Sequence, residues 1–291
     1  MRMRFDTPER LATLSDNGMG ARFPRVGSTR SDLLYRADGA GLRYTPDSST
    51  SPGSNMSSTQ PGDSAPLLLL GPIGGLTKEP FNFTFDRADG DAPRALYFAR
   101  WKTDLAGPEL APMPFNSGSG DYSIAVAQHP GTSAVPRAFW MSNRNLAADL
   151  PVPLPTPPMP TLLTALLSAD GGVDAVTLTI EQADPPCMPQ DDPTKVDPDL
   201  TPWVTGDGTR LLLSTTRLDS KCAVSNQKKD IYSVKLDPDS GQPAAGEVAS
   251  ALSDVNSAAD DTDPSFSADL CDLYFASNRD GKFGVYRAHR R

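Results

Sequence analysis

Five acidic residues, Glu79, Asp121, Asp199, Asp261 and Asp263, each stand just before or at the opening of a segment that reads as a β-strand, and Trp203 opens another. Carboxylates gathered from several strand ends can serve as general acid and base, and a pair set about 5 to 10 Å apart is the apparatus of glycosidic-bond cleavage. The same residue types at the same places also cap turns and solvate loops. Asp16, Asp197 and Asp260 fall in the same lead-in segments, so a crowded acidic rim is expected. Like charges around a funnel repel one another, and a cation or a basic peptide would relieve them. Phe81, Tyr122 and Trp203 adjoin these strands and supply apolar contact for a peptide or sugar ring, unless strand alternation buries them.

Other chemistries are absent from the chain. It holds no G-x-S-x-G, H-E-x-x-H or C-x-x-C motif and no phosphate-cradling glycine loop, so no catalytic residue is assigned and no cofactor is expected. His129 and His289 are too few for a histidine-rich metal site, and no metal site is assigned. Asp237-Pro238-Asp239-Ser240-Gly241 has the look of a calcium loop but lacks the closing bidentate acid, and reads as a turn between strands. Cys187 and Cys222 lie in two loops that the architecture below puts on one face, so a disulfide between them is expected in an oxidising compartment; three free thiols in a reducing one is the other reading. Cys271 reads as a small, half-buried residue ahead of a strand.

The elements that must position these residues repeat. Proline precedes the first leucine of an apolar strand by nine residues three times, at Pro24 and Leu33, Pro202 and Leu211, and Pro264 and Leu273. Leu33-Leu34-Tyr35, Leu211-Leu212-Leu213 and Leu273-Tyr274-Phe275 are therefore one strand in three copies. Leu96-Tyr97-Phe98-Ala99 and Phe139-Trp140-Met141-Ser142 read as two looser copies, and residues 230–234 as a following strand. Asp207-Gly208 and Asp280-Gly281 supply tight-turn chemistry. Five copies in 291 residues imply a radial all-β arrangement, a β-propeller of five four-stranded blades, and leave a sixth open; a β-sandwich is the competing architecture. Expected blade limits are 15–70, 71–115, 116–181, 182–252 and 253–291, the last completed by residues 1–14. In that ring the N-terminal segment pairs beside residues 285–287, and inner strands begin near Phe23, Phe81, Tyr122, Pro202 and Pro264. Residues 47–66 read as a linker without function, 151–160 as a stiff proline-rich connection, 161–167 as either a helical turn or a strand, and 173–180 as a strand.

Residues 263–287, DPSFSADLCDLYFASNRDGKFGVYR, resemble the TolB-type WD40-like (PD40) propeller repeat, an aspartate-proline-aromatic opening, a Ser-Pro-Asp-Gly turn, a strand and a Ser-x-Arg-Asp-Gly hairpin. The likeness extends to residues 201–237 and is weak between 40 and 180. Ala268 stands in place of the motif's proline and Leu270 in place of its glycine. The resemblance implies a non-catalytic protein- or peptide-binding or scaffolding module of a bacterial envelope. A carbohydrate-active propeller using funnel carboxylates, as hydrolase or lyase, is the alternative.

Composition bounds the partners. A net charge of −9 argues against nucleic acid, whose phosphates demand a basic face. No run of 18 apolar residues exists, so no membrane-spanning helix is expected. With 29 prolines and 23 glycines the chain is rich in turns, in keeping with one large all-β domain. Expected partners are a protein or peptide, with carbohydrate as the alternative; a monomer in a periplasmic or extracellular setting is expected, although no signal peptide opens the chain.

Overall fold

A computed structural model describes residues 3–15, 21–26, 33–37, 41–45, 54–55, 63–69, 82–88, 92–101, 108–128, 130–131, 135–143, 161–167, 177–178, 201–215 and 228–291. After β1 (Glu9–Arg10) and a four-residue helical turn, α1 (Ala12–Ser15), strands follow in antiparallel fours. Blade one is β2 (Ala21–Val26), β3 (Leu33–Ala37), β4 (Gly41–Thr45) and β5 (Ser54–Asn55). Blade two is β6 (Ser64–Leu69), β7 (Asn82–Arg87), β8 (Ala95–Trp101) and β9 (Pro108–Pro112). Blade three is β10 (Asp121–Ala127), β11 (Arg137–Ser142), β12 (Thr161–Leu166) and β13 (Thr177–Leu178). Blade four is β14 (Trp203–Val204), β15 (Arg210–Thr215), β16 (Asp230–Lys235) and β17 (Ser250–Ala251). Blade five is β18 (Asp261–Phe266), β19 (Asp272–Ser277) and β20 (Gly284–His289), with β1 as its outer strand.

The molecule is an all-β propeller of five four-stranded blades. Its inner strands neighbour one another in the cyclic order β2, β6, β10, β14, β18 and back to β2. The N-terminus closes the ring as the repeats imply. Glu9 pairs with Arg287 and Arg10 with Tyr286, while the Asp6 and Leu11 amides donate to the carbonyls of His289 and Val285.

Why the second strands of blades one, four and five carry an unbroken apolar run follows from what flanks them. A blade is covered on both faces, so alternate side chains serve opposite neighbours and consecutive positions of the run can all be apolar. Leu33 and Tyr35 pack towards blade five, and Leu34 towards blade two. Leu211 and Leu213 pack towards blade three, and Leu212 towards blade five. Leu273 and Phe275 pack towards blade four, and Tyr274 towards blade one. Five apolar clusters result, one at each junction between successive blades.

Blade two departs from the expectation. Its inner strand is β6, not the segment from Phe81, and Leu96-Tyr97-Phe98-Ala99 lies in the third strand β8. The boundary between blades one and two therefore falls between residues 55 and 64 instead of at 70, and part of the supposed linker is structural. A longer connection between β6 and β7, residues 70–81, interrupts the nine-residue step that marks blades one, four and five. Residues 161–166 resolve as strand β12 and not as a helical turn.

Candidate functional site

Each inner strand except the two-residue β14 carries an irregularity near its start. The register shifts between Arg22 and Arg25, between Ser64 and Leu67, between Tyr122 and Ala125 and between Thr262 and Ser265. Such a bulge removes one residue from the ladder and re-aims it. In β10 that residue is Ser123, at φ 52°, and in β18 it is Asp263, at φ 58°. Left-handed backbone at a residue other than glycine costs about 1–3 kcal/mol and persists only where its surroundings demand it.

In β10 and β18 the amide of the bulged residue finds its acceptor on the preceding blade. Ser123 N–H donates to Asp86 Oδ2 on β7 at 3.3 Å, and Asp263 N–H donates to Thr201 Oγ1 beside β14 at 3.2 Å. Thr201 is in turn bonded to Ser214 of β15, 2.6 Å away. Asp86 also accepts from Arg94 at 2.7 Å. Buried polar groups thus join blade three to blade two and blade five to blade four, in addition to packing, and Asp63, Asp86, Asp121, Asp261 and Asp263 are all buried.

Most of these carboxylates have structural work that the sequence pattern did not distinguish from chemistry. Asp121 and Asp261 end the same device. Asn116-Ser117-x-x-x-Asp121 and Asn256-Ser257-x-x-x-Asp261 each form a tight loop in which the aspartate Oδ2 accepts from the serine amide and hydroxyl four residues earlier. Asn116 makes a reciprocal amide pair with Leu96 of blade two, and Asn256 makes the same pair with Ile231 of blade four. The remaining oxygen of Asp261 meets Arg279 at 2.5 Å, and that of Asp121 accepts from the Trp140 indole at 3.1 Å. Arg279 lies over the rings of Phe275 and Tyr286 at 5.1 and 4.8 Å. In blade two Arg87 repeats this geometry, forked onto Asp63 by two bonds of 2.7 Å and lying over Phe85 and Tyr97.

The acidic rim expected from the sequence is therefore corrected at three positions. Asp121, Asp261 and Asp263 are 1%, 0% and 3% exposed, which makes them interior groups and not a solvated rim. Trp203 is half-buried, its ring 5.4 Å from Phe266 at the junction of blades four and five. Tyr122 is buried between blades three and four. Glu79 and Asp199 lie outside the described residues, as do Cys187 and Cys222; Glu79 falls in sequence between β6 and β7, so it precedes a second strand and not an inner one. Cys271 is exposed, not half-buried. Asp237 Oδ1 accepts from the Asp239 and Ser240 amides, so this segment is a turn closed on its own backbone. Among the described residues no group of histidine, cysteine, aspartate and glutamate could hold a metal ion, and no helix is long and apolar enough to cross a membrane.

One sequence signal was there to be found. Asp63-Ser64-Ala65-Pro66 repeats the aspartate and proline spacing of Asp261-Thr262-Asp263-Pro264 and of Asp199-Leu200-Thr201-Pro202, and it marks the inner strand of blade two. The serine, proline and glycine around it disguised it as linker.

No protein-family model and no curated protein matches the chain. Solved structures do. An endo-arabinase from Bacteroides thetaiotaomicron VPI-5482 matches with a TM-score of 0.59 and 13% identity over 98% of this chain and 97% of that one. The catalytic domain of the GH62 α-L-arabinofuranosidase of Coprinopsis cinerea matches at 0.52 and 12% identity, over 99% and 96%. The likeness is one of fold. A chain described as TolB, from Agrobacterium tumefaciens, reaches only 0.45 and covers 69% of that chain, too little to bear on function. The expectation of a non-catalytic protein-binding module of TolB type is overturned: the two structures matched over nearly their whole length are described as an arabinase and an arabinofuranosidase domain, and three of the aspartates meant to meet a protein partner, Asp121, Asp261 and Asp263, are buried.

Proposed function

We propose that this propeller is carbohydrate-active and cleaves glycosidic bonds in arabinose-containing glycans at its axis. The observation that carries the reading is the match of the whole chain, end to end, to an arabinase and an arabinofuranosidase domain. Asp263 is the carboxylate this reading places at the reacting bond. It sits on an inner strand, is held in strained left-handed backbone by the bulge, and keeps one oxygen oriented by the neighbouring Thr262 hydroxyl at 2.8 Å. Strain of this kind gathers where geometry is under functional demand. A carboxylate so oriented could act as general base or nucleophile. Its partner acid is sought at Asp86 and Asp199.

Release of reducing sugar from arabinan, and of the chromophore from an aryl α-L-arabinofuranoside, tests this. The wild-type chain is expected to turn over at least one of them, and Asp263→Asn to reduce the rate about 100-fold or more with the circular dichroism spectrum unchanged. A wild-type chain inactive on both substrates and unretarded by arabinan in affinity electrophoresis defeats the proposal.

A further inference from the structure

A second cleft lies away from the axis, between the outer strands of blade four and the N-terminal segment. Its volume is about 480 Å³, and Met3, Arg210, Ser233, Lys235, Glu247, Ser250, Ala251 and Leu252 line it. Such a volume falls in the range that holds a small ligand. Its charges are arranged against the local rules. Arg210 opens β15 and stands directly opposite Lys235 on β16, a cross-strand pairing of like charges that is unfavourable by itself. Glu247 meets Lys235 directly, at 2.7 Å, and its charge, with that of Asp207, reaches Arg210 only from farther off. Arg210 has five N–H donors, and among the described residues its guanidinium bonds to the Ser233 hydroxyl alone, at 2.9 Å. Burial, and then the nearby charge of Arg290, push its pKa down.

Two cations thus share a half-buried cleft with one carboxylate in direct contact, in a molecule whose net charge is −9. The planar fork of an arginine matches a carboxylate bidentately. Around it the cleft offers serine hydroxyls from Ser233 and Ser250 and an apolar floor of Met3, Ala251 and Leu252. Hydroxyls beside a dry floor suit a ring that bears hydroxyl groups on its edge and C–H groups on its face. We infer that this cleft binds an acidic sugar, a uronate whose carboxylate is received by Arg210. The site is separate from the axis, and its occupancy does not depend on cleavage there.

Calorimetric titration of the full chain with D-glucuronate tests the inference, with D-glucose, acetate and inorganic phosphate as comparison ligands. Glucuronate is expected to bind and glucose not to. Arg210→Gln is expected to weaken binding about tenfold or more, a removed charge-assisted bond being worth that much. Glu247→Gln, which leaves Lys235 unneutralised, is expected to tighten it several-fold, a gain that misfolding does not produce. The amide resonances of Ser250 and Ala251 should shift on titration of the wild-type chain. Equal affinity in Arg210→Gln, acetate binding as tightly as glucuronate, phosphate binding more tightly, or no binding of glucuronate each overturns the assignment.

Discussion

Asp261 shows how one residue can look catalytic and be structural. Its carboxylate is wholly buried and satisfied by Ser257 on one side and Arg279 on the other. Removing one member of such a pair leaves the other charge buried alone, at about 3–5 kcal/mol. Asp261→Ala is therefore expected to lower the unfolding free energy by about 3 kcal/mol in a urea titration, whereas a rim residue would leave the midpoint unmoved. Asp230 presents the opposite case. Burial raises its pKa, the attraction of Lys228 lowers it again, and the charges of Asp261 and Asp260 add to the rise. A carboxyl whose folded pKa lies above its unfolded value of about 3.9 contributes stability that is fully present below that value and lost as pH rises through the folded pKa. Asp230→Asn should thus melt about 2 °C higher than wild type at pH 7, with the difference closing as pH falls towards about 4. A constant difference across that range would locate the effect in packing and not in charge.

At the scale of the element, the turn between inner and second strands is built twice from one plan. Asp207 Oδ1 accepts from the Thr205 hydroxyl and the Thr209 amide, and Asp269 Oδ1 accepts from the Ser267 hydroxyl and the Cys271 amide. Both turns then need left-handed backbone, met by Gly208 at φ 72° and by Leu270 at φ 59°. A Cβ on Gly208 would stand 3.0 Å from Pro130 Cβ as well. Gly208→Ala should therefore destabilise by about 1–2 kcal/mol from backbone strain alone. Leu270 bears the same strain but packs against the junction of blades four and five. Leu270→Gly trades that contact for relief and should change stability by no more than about 1 kcal/mol. Denaturant midpoints of the two variants separate these effects. A Gly208→Ala variant as stable as wild type would show that the turn rearranges.

For the whole molecule, the N-terminal segment is the closure. Phe5 stacks on Phe266 with ring centroids 6.0 Å apart, Met3 joins the same cluster, and Leu11 packs between blades five and one. Deleting residues 1–14 removes these side chains, worth about 1.5–3 kcal/mol each when fully buried, and leaves β20 as an open edge. The melting temperature is expected to fall by about 10 °C or more, and self-association of the truncated chain should appear in sedimentation. An unchanged melting temperature would mean that the ring holds without its outer strand.

Local chemistry in the sequence determined the strands and the ring they make. Leu211-Leu212-Leu213 and Leu273-Tyr274-Phe275 are apolar at every position because both faces of a blade are covered, and the proline nine residues earlier lies just before the inner strand of blade four and within that of blade five. Blade two escaped because the longer connection at residues 70–81 broke that interval, although Asp63 and Pro66 kept their spacing. The roles of the aspartates could not be read the same way. Whether Asp121, Asp261 or Asp263 meets a ligand or a neighbouring loop depends on the partner that the fold brings to it. Ser117 and Ser257 are local in sequence, but Arg279, Trp140 and Arg87 reach their aspartates only once a blade has formed, and Thr201 only once two blades have docked. Arg210 is the plainest instance: nothing in its neighbours along the chain announces a cleft, which exists only where blade four meets a segment more than 200 residues away. A carboxylate or guanidinium takes its function from burial and from opposing charge, and both are properties of the packed ring.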